Sequence, residues 1–223
     1  MTQQRLSPAR RAVLFLAILL PAAIAAAAES APDQFDHYVV ALSWSPEHCA
    51  ERGASDAQQC GPGRQFGLVL HGLWPQHPRG YPSNCSRERL PASLKSQYSG
   101  LYPNQRLFDH EWQKHGTCSG LTPRDYLALS KTLRDRINPP AILREPRQPV
   151  RIETAELRRQ FLMANPGLTQ DGLAIFCREG GRFLREIHIC FTRQGKPGAC
   201  SPENLARSRK SCSQPQMLIR NVR

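Results

Sequence analysis

No CxxC pair occurs anywhere in the 223 residues, although the chain holds eight cysteines. That absence argues against a zinc cluster built on them. His-Glu-x-x-His is also missing. The nearest approach, His110-Glu111 followed by His115, spaces its histidines five apart. On a helix they would turn away from each other, so the zinc-peptidase reading fails on geometry. No serine or cysteine stands in a nucleophile motif, which removes support for a peptidase with a histidine–carboxylate site. Past residue 28, internal repeats and low-complexity segments are absent. Past residue 28 no apolar run approaches the ~20 residues that cross a bilayer, so no membrane span is expected in the mature chain. Lysine is scarce as well, at 5 of the 30 basic residues, the rest being arginine.

What is present begins with a basic head, Arg5, Arg10 and Arg11, followed by an apolar run from Ala12 to Ile24 and alanines 25 to 28. This reads as a cleavable export signal, residues 1–28, with cleavage expected between Ala28 and Glu29. The alternative, a membrane anchor, is weakened by Pro21 and by the short run. Residues 29–223 are then one domain, large enough to bury about 70% of its unfolded surface alone. An even number of cysteines behind an export signal points to four disulfides in an oxidising compartment, periplasmic or extracellular. Removing residues 1–28 deletes three arginines and no acids, lowering the net charge from +12 to +9. Such a surplus, carried by arginine, favours a polyanion or an anionic surface, because the guanidinium fork donates two bonds to a phosphate.

Tyr38, Val40, Leu42 and Trp44 alternate like a strand that ends at Pro46. Phe66, Leu68 and Leu70 form a second, with Val69 and His71 on its other face and Gly72 and Pro75 expected to end it. Ile187, Ile189 and Phe191 form a third. Thr122 and Pro123 make an N-cap and first-turn pair, and Tyr126, Leu129, Leu133 and Ile137 continue at helical spacing until Pro139. Ala155 to Met163 is a second helix, closed by Asn165 and Pro166. Residues 76–105 read as long irregular loops. With no βαβ rhythm, the fold class is α+β, a single disulfide-stapled domain.

Three of the seven histidines sit in two suggestive contexts. His71 closes a strand and is followed by Gly72, which permits close approach, and Trp74, which offers a flat face. In the second context, helical spacing makes neighbours of Glu111 with Lys114 and His115, and of His110 with Lys114. Four ionisable groups crowd one side, with Cys118 able to pin the helix end. The bland alternative is a solvated charged face, but such faces seldom include histidine, tryptophan and a half-cystine together. Trp112 reads as core and His188, alternating with isoleucines, as structural. His37, His48 and His77 have no supporting context.

Phe66-x-x-x-x-His71-Gly72-Leu73-Trp74-Pro75 and His110-Glu111-Trp112-x-Lys114-His115-Gly116-Thr117-Cys118 resemble the two active-site signatures of the ribonuclease T2 family. Weaker similarity lies in Leu42 to Pro46 with Cys49, and in the spacing of Cys177, Cys190, Cys200 and Cys212. The resemblance, with the export signal favouring a bacterial branch, implies a central antiparallel β-sheet flanked by helices. It further implies cofactor-free and metal-independent cleavage of RNA, with low base specificity, through a 2′,3′-cyclic phosphate. In it His115 is the general base, His71 the general acid, and Glu111 and Lys114 act around the transition state. Those side chains taken alone supply a pair of imidazoles titrating near ~6.5, but not which is base and which acid. Lys114 is placed to meet phosphorane charge, Glu111 equally to orient Lys114 or His115, His110 to contact phosphate, and Trp74 to wall or stack a base. The cysteines allow 105 pairings; the resemblance implies Cys49–Cys60, Cys85–Cys118, Cys177–Cys212 and Cys190–Cys200. RNA is the expected substrate, DNA should survive for want of a 2′-hydroxyl, and a monomer is expected. The rival is a basic, exported RNA-binding protein on a dead scaffold, which would be expected to lose His71, Lys114 or His115. All three are present. The loops between Gln76 and Tyr102 carry no readable code for base preference.

Overall fold

The computed structural model describes Met1 and residues 33–222; the expected export signal lies outside the described residues. Among the described residues six strands build one sheet: β1 His37–Trp44, β2 Leu68–Gln76, β3 Val150–Glu153, β4 Leu173–Arg178, β5 Phe183–Thr192 and β6 Gln216–Ile219. Seven α-helices accompany them: α1 Ser45–Arg52, α2 Ala57–Cys60, α3 Ala92–Gln97, α4 Gln105–Lys114, α5 Pro123–Asp135, α6 Thr154–Ala164 and α7 Pro202–Ser211. The α+β class therefore holds. Strand order is β2-β1-β5-β6-β3, with β4 also pairing β5. The pairs β1–β2, β1–β5, β4–β5 and β3–β6 are antiparallel; β5 and β6 meet in parallel at Phe183 and Leu218.

β1 is central and almost wholly buried, so both of its faces carry apolar side chains. Val40, Leu42 and Trp44 join the main core, where Phe108 and Trp112 of α4, Tyr126, Leu127 and Leu133 of α5, and Leu157 and Phe161 of α6 pack. Val39 and Ala41 face the other way, into a smaller cluster with Ala174, Phe176 and the Cys190–Cys200 pair, covered by Leu205 of α7. Trp112 is 2% exposed, the core residue its spacing implied. Its loss should cost about 3–5 kcal/mol.

Helix α5 starts as its cap dictates, with the Thr122 side chain accepting from the Asp125 N–H. It ends at Asp135, two residues before Ile137, which still packs in the core. Helix α6 exceeds its expected bounds by one residue at each end. One helix, α3, interrupts the 76–105 loops. β1 runs straight into α1, because Pro46 sits at the start of that helix rather than merely halting the strand.

Strand β2 departs most from its pattern. Gly72 and Pro75 do not end it; pairing continues to Gln76. Pro75 is tolerated because β2 is an edge strand. Ala41 pairs with Gly72 and Leu42 with Leu70, leaving His71 without a partner on β1. This β-bulge resets the two-residue period. Leu70 and Leu73, three apart, both enter the main core, while Trp74 packs on the opposite face.

All four disulfides form as the family resemblance implied: Cys49–Cys60, Cys85–Cys118, Cys177–Cys212 and Cys190–Cys200.

Candidate active site

The site lies where the β2 bulge meets the C-terminal end of α4. Trp74 is its hub. Its ring stacks on His115 at 5.2 Å between centroids and 28° between planes, and meets His71 edge-on at 5.3 Å and 74°. Its indole N–H donates to Glu111 Oε2 at 2.7 Å. The two imidazoles, 44 positions apart in the chain, thus flank one indole. A Cβ on Gly72 would sit 1.9 Å from Glu111 Oε2 and 2.3 Å from Trp74 Nε1, so only glycine leaves room for that hydrogen bond.

His115 is the first residue past α4, at φ −121° and ψ −46°, and its N–H still bonds to the Glu111 carbonyl. Leaving the helix there turns the ring inward, where it is 3% exposed. The segment is pinned by Cys85–Cys118 and by Asn84 N–H on the Lys114 carbonyl at 3.0 Å. Thr117 Oγ1 adds to this by accepting from Cys85 N–H at 3.1 Å. Lys114 directs its ammonium over the Tyr81 ring, 5.5 Å from the centroid, and Tyr81 also leans against His115. His110, by contrast, is largely exposed, with Nε2 4.0 Å from Glu111 Oε1.

His71 is held between carboxylates. Its Nδ1 lies 2.8 Å from Glu186 Oε1 and its Nε2 3.7 Å from Glu111 Oε1. The electrostatics of the two imidazoles diverge accordingly. Burial works against protonation of His71, but the Glu186 hydrogen bond and the charges of Glu186 and Glu111 outweigh it and raise the pKa. His115 has burial with no carboxylate to offset it, and Lys114, His110 and His71 push the same way, so its pKa falls to about 2. Burial raises the Glu111 carboxyl to about 7 against the pull of His71, Trp74 and Lys114. Among the described residues, no cluster of three or more His, Cys, Asp or Glu side chains is arranged to hold a metal ion. No described helix is long and apolar enough to cross a membrane.

Comparison with known proteins settles the lineage. The model of the Ribonuclease T2 family matches residues 35–200. A ribonuclease from Aeromonas hydrophila is 42% identical over 222 residues, 96% of this chain and all of its own length. The chain belongs to the ribonuclease T2 family. Among solved structures, ribonuclease MC1 from bitter gourd seeds is similar at 25% identity and a TM-score of 0.59, over 73% of this chain and 92% of that one. A mutant of RNase MC1 in complex with 5′-UMP shares the fold at 23% identity and a TM-score of 0.64, over 82% and 97%. This member of the ribonuclease T2 family is an endoribonuclease acting on RNA.

All six residues singled out from the sequence, His71, Trp74, His110, Glu111, Lys114 and His115, lie around this one site. Trp74 was expected to wall or stack a base; its ring is packed among His71, His115 and His188. His48 pairs instead with Asp56 and His77 with Asp36. Sequence reasoning missed Glu186, Ser43 and Tyr81. For Glu186 a signal existed: Glu186 and His188, two apart, are polar residues sharing one face of a strand rich in Leu, Ile and Phe.

Proposed function

We propose that this ribonuclease cleaves single-stranded RNA by metal-independent transphosphorylation, with His115 as base and His71 as acid. At neutral pH, His115 with its depressed pKa is the free base, suited to take the 2′-hydroxyl proton. His71, its pKa raised between two carboxylates, is the group that holds a proton to give. The observation that carries the assignment is geometric: two imidazoles flank one indole, His71 with Glu186 and Glu111 at its ring nitrogens and His115 beside Lys114. O2′ attacks phosphorus, the bond to O5′ breaks, His115 gains a proton and His71 passes one to the leaving oxygen. The product is a 2′,3′-cyclic phosphate, and hydrolysis of that ester runs the two roles in reverse.

Lys114 stabilises charge on the phosphorane oxygens, and Glu111 acts beside it while fixing the Trp74 indole. His110, exposed at the rim, contacts phosphate. Trp74 walls the site and spaces the imidazoles. Residues 29–223 act as a monomeric domain of low base specificity, with no membrane span. Export in a bacterial cell, with residues 1–28 removed, fits the four disulfides and places the enzyme in the periplasm or outside.

Homopolymer RNA in EDTA is the test. Cleavage persists, and His71→Ala and His115→Ala each lower kcat by about 10²–10⁴-fold, the worth of a positioned acid or base. A requirement for added metal, or undiminished activity in both variants, overturns the mechanism. A DNA oligonucleotide stays intact, and N-terminal sequencing of exported protein begins at Glu29.

A further inference from the structure

Glu186 is a charge in the middle of a strand where Leu184, Ile187 and Ile189 are buried and apolar, and it is itself 6% exposed. Burying a carboxylate is unfavourable unless both oxygens are saturated. Here they are. Oε1 accepts from Ser43 Oγ at 3.1 Å and from His71 Nδ1 at 2.8 Å, and Oε2 accepts from His188 Nε2 at 3.0 Å. A carboxylate offers only lone pairs, so each imidazole nitrogen that meets it carries a hydrogen. Asn204 Nδ2 donates to His188 Nδ1 at 3.0 Å, which leaves the hydrogen of His188 on Nε2, where Glu186 needs it. From Asn204 Nδ2 through His188 and Glu186 to His71 Nδ1, each donor thus meets an acceptor. His71 carries hydrogen on Nδ1, and Nε2 is the nitrogen left for substrate.

Resting on the acid role of His71 given above, we propose that Glu186 is a positioning residue of the ribonuclease reaction. It locks the His71 tautomer and aims Nε2 at the leaving 5′-oxygen, with His188 and Asn204 bracing it from behind. His188 is thus more than a filler of its strand. The sheet does not demand the arrangement, since an apolar side chain would serve packing at this position. Its acidity agrees with the geometry: burial opposes ionisation, yet the bonds from His188 and His71 hold Glu186 well below the usual carboxylate range. The titratable and charged groups facing His71 are Glu186 and Arg185 from β5, Glu111 and His110 from α4, and His115 beyond the helix end.

The experiment compares two substrates in the full-length mature enzyme. A dinucleoside phosphate expels an alkoxide and needs the proton from His71, whereas a nucleoside 3′-(4-nitrophenyl phosphate) expels a phenolate and does not. Glu186→Gln lowers kcat on the dinucleoside phosphate by about 10²-fold, leaves KM little changed, and spares the aryl ester. The alkaline limb of its pH profile moves to lower pH, because His71 loses the carboxylate that raised its proton affinity. His188→Leu, which keeps the carboxylate but removes its brace, shows the same substrate preference with a smaller fall, and decides the matter if Glu186→Gln does not fold. Equal losses on both substrates, or none on either, overturn the inference. His71→Ala separates the two readings. If it too slows both esters equally, the acid role of His71 falls and the inference with it; if it spares the aryl ester while Glu186→Gln does not, only the inference falls.

Discussion

The two halves of the site are held by different means. The His71 half is built inside the sheet. A bulge in β2 presents the ring, and a run of buried side-chain hydrogen bonds through Glu186 fixes it. The His115 half stands at a helix end, and its constraints are covalent and backbone: the Cys85–Cys118 bridge, the Asn84–Lys114 bond and the close of α4. The first environment supplies negative charge and the second withholds it. Two identical side chains thereby acquire proton affinities shifted in opposite directions.

Removing the cation of the helix half is the severest way to break that contrast. Lys114→Met should lower kcat about 10²–10³-fold, in the range of losing one preorganised electrostatic stabiliser. Its effect should appear in kcat more than in KM, as steady-state kinetics on homopolymer RNA will show. Cutting the staple comes next. The Cys85→Ala/Cys118→Ala pair opens a loop with a sequence separation of 33. It should cost about 3 to 4 kcal/mol of stability, measured by denaturant unfolding. The hydrogen-bonded His71 half should keep its geometry, so a His71-specific readout such as the alkaline limb of the pH profile stays put.

The smallest effect sharpens the comparison at the carboxyl shared by both halves. Glu111 titrates at about 7 in the fold against an ordinary 4.5. The folded state therefore holds that proton more tightly than the unfolded chain does. Its cost to stability is absent below about pH 4.5 and complete above about pH 7. Glu111→Gln, which cannot ionise, should be more stable than the parent above neutrality, by up to about 3 kcal/mol, and equal to it near pH 4. Thermal unfolding at the two pH values checks this.

Local signals made much of the molecule legible. Thr122-Pro123 announced α5, the alternation through Trp44 announced β1, and the two signature segments named residues that the fold does bring together. What escaped notice depended on contacts between segments distant in sequence. Alternation predicts that His71 and Leu73 share a face; the bulge that separates them is set by pairing with β1, which no local window contains. Glu186 was invisible as a partner of His71 because they lie on different strands, with β1 between β2 and β5. Alternation with isoleucines marks His188 as structural; the partner that alternation does not reveal is Asn204, on α7. Tyr81 sits in a stretch without periodicity, so nothing local marked it.

The unpaired residue in β2 also limits how this protein can be re-engineered. His71 works as a phase shifter: everything before it is in one alternation and everything after it in the other. Deleting or adding a single position between Leu70 and Leu73 would exchange inside for outside along the rest of the strand. Trp74 would be thrust into the main core and Leu73 into the catalytic cleft. The residue count of this stretch is rigid.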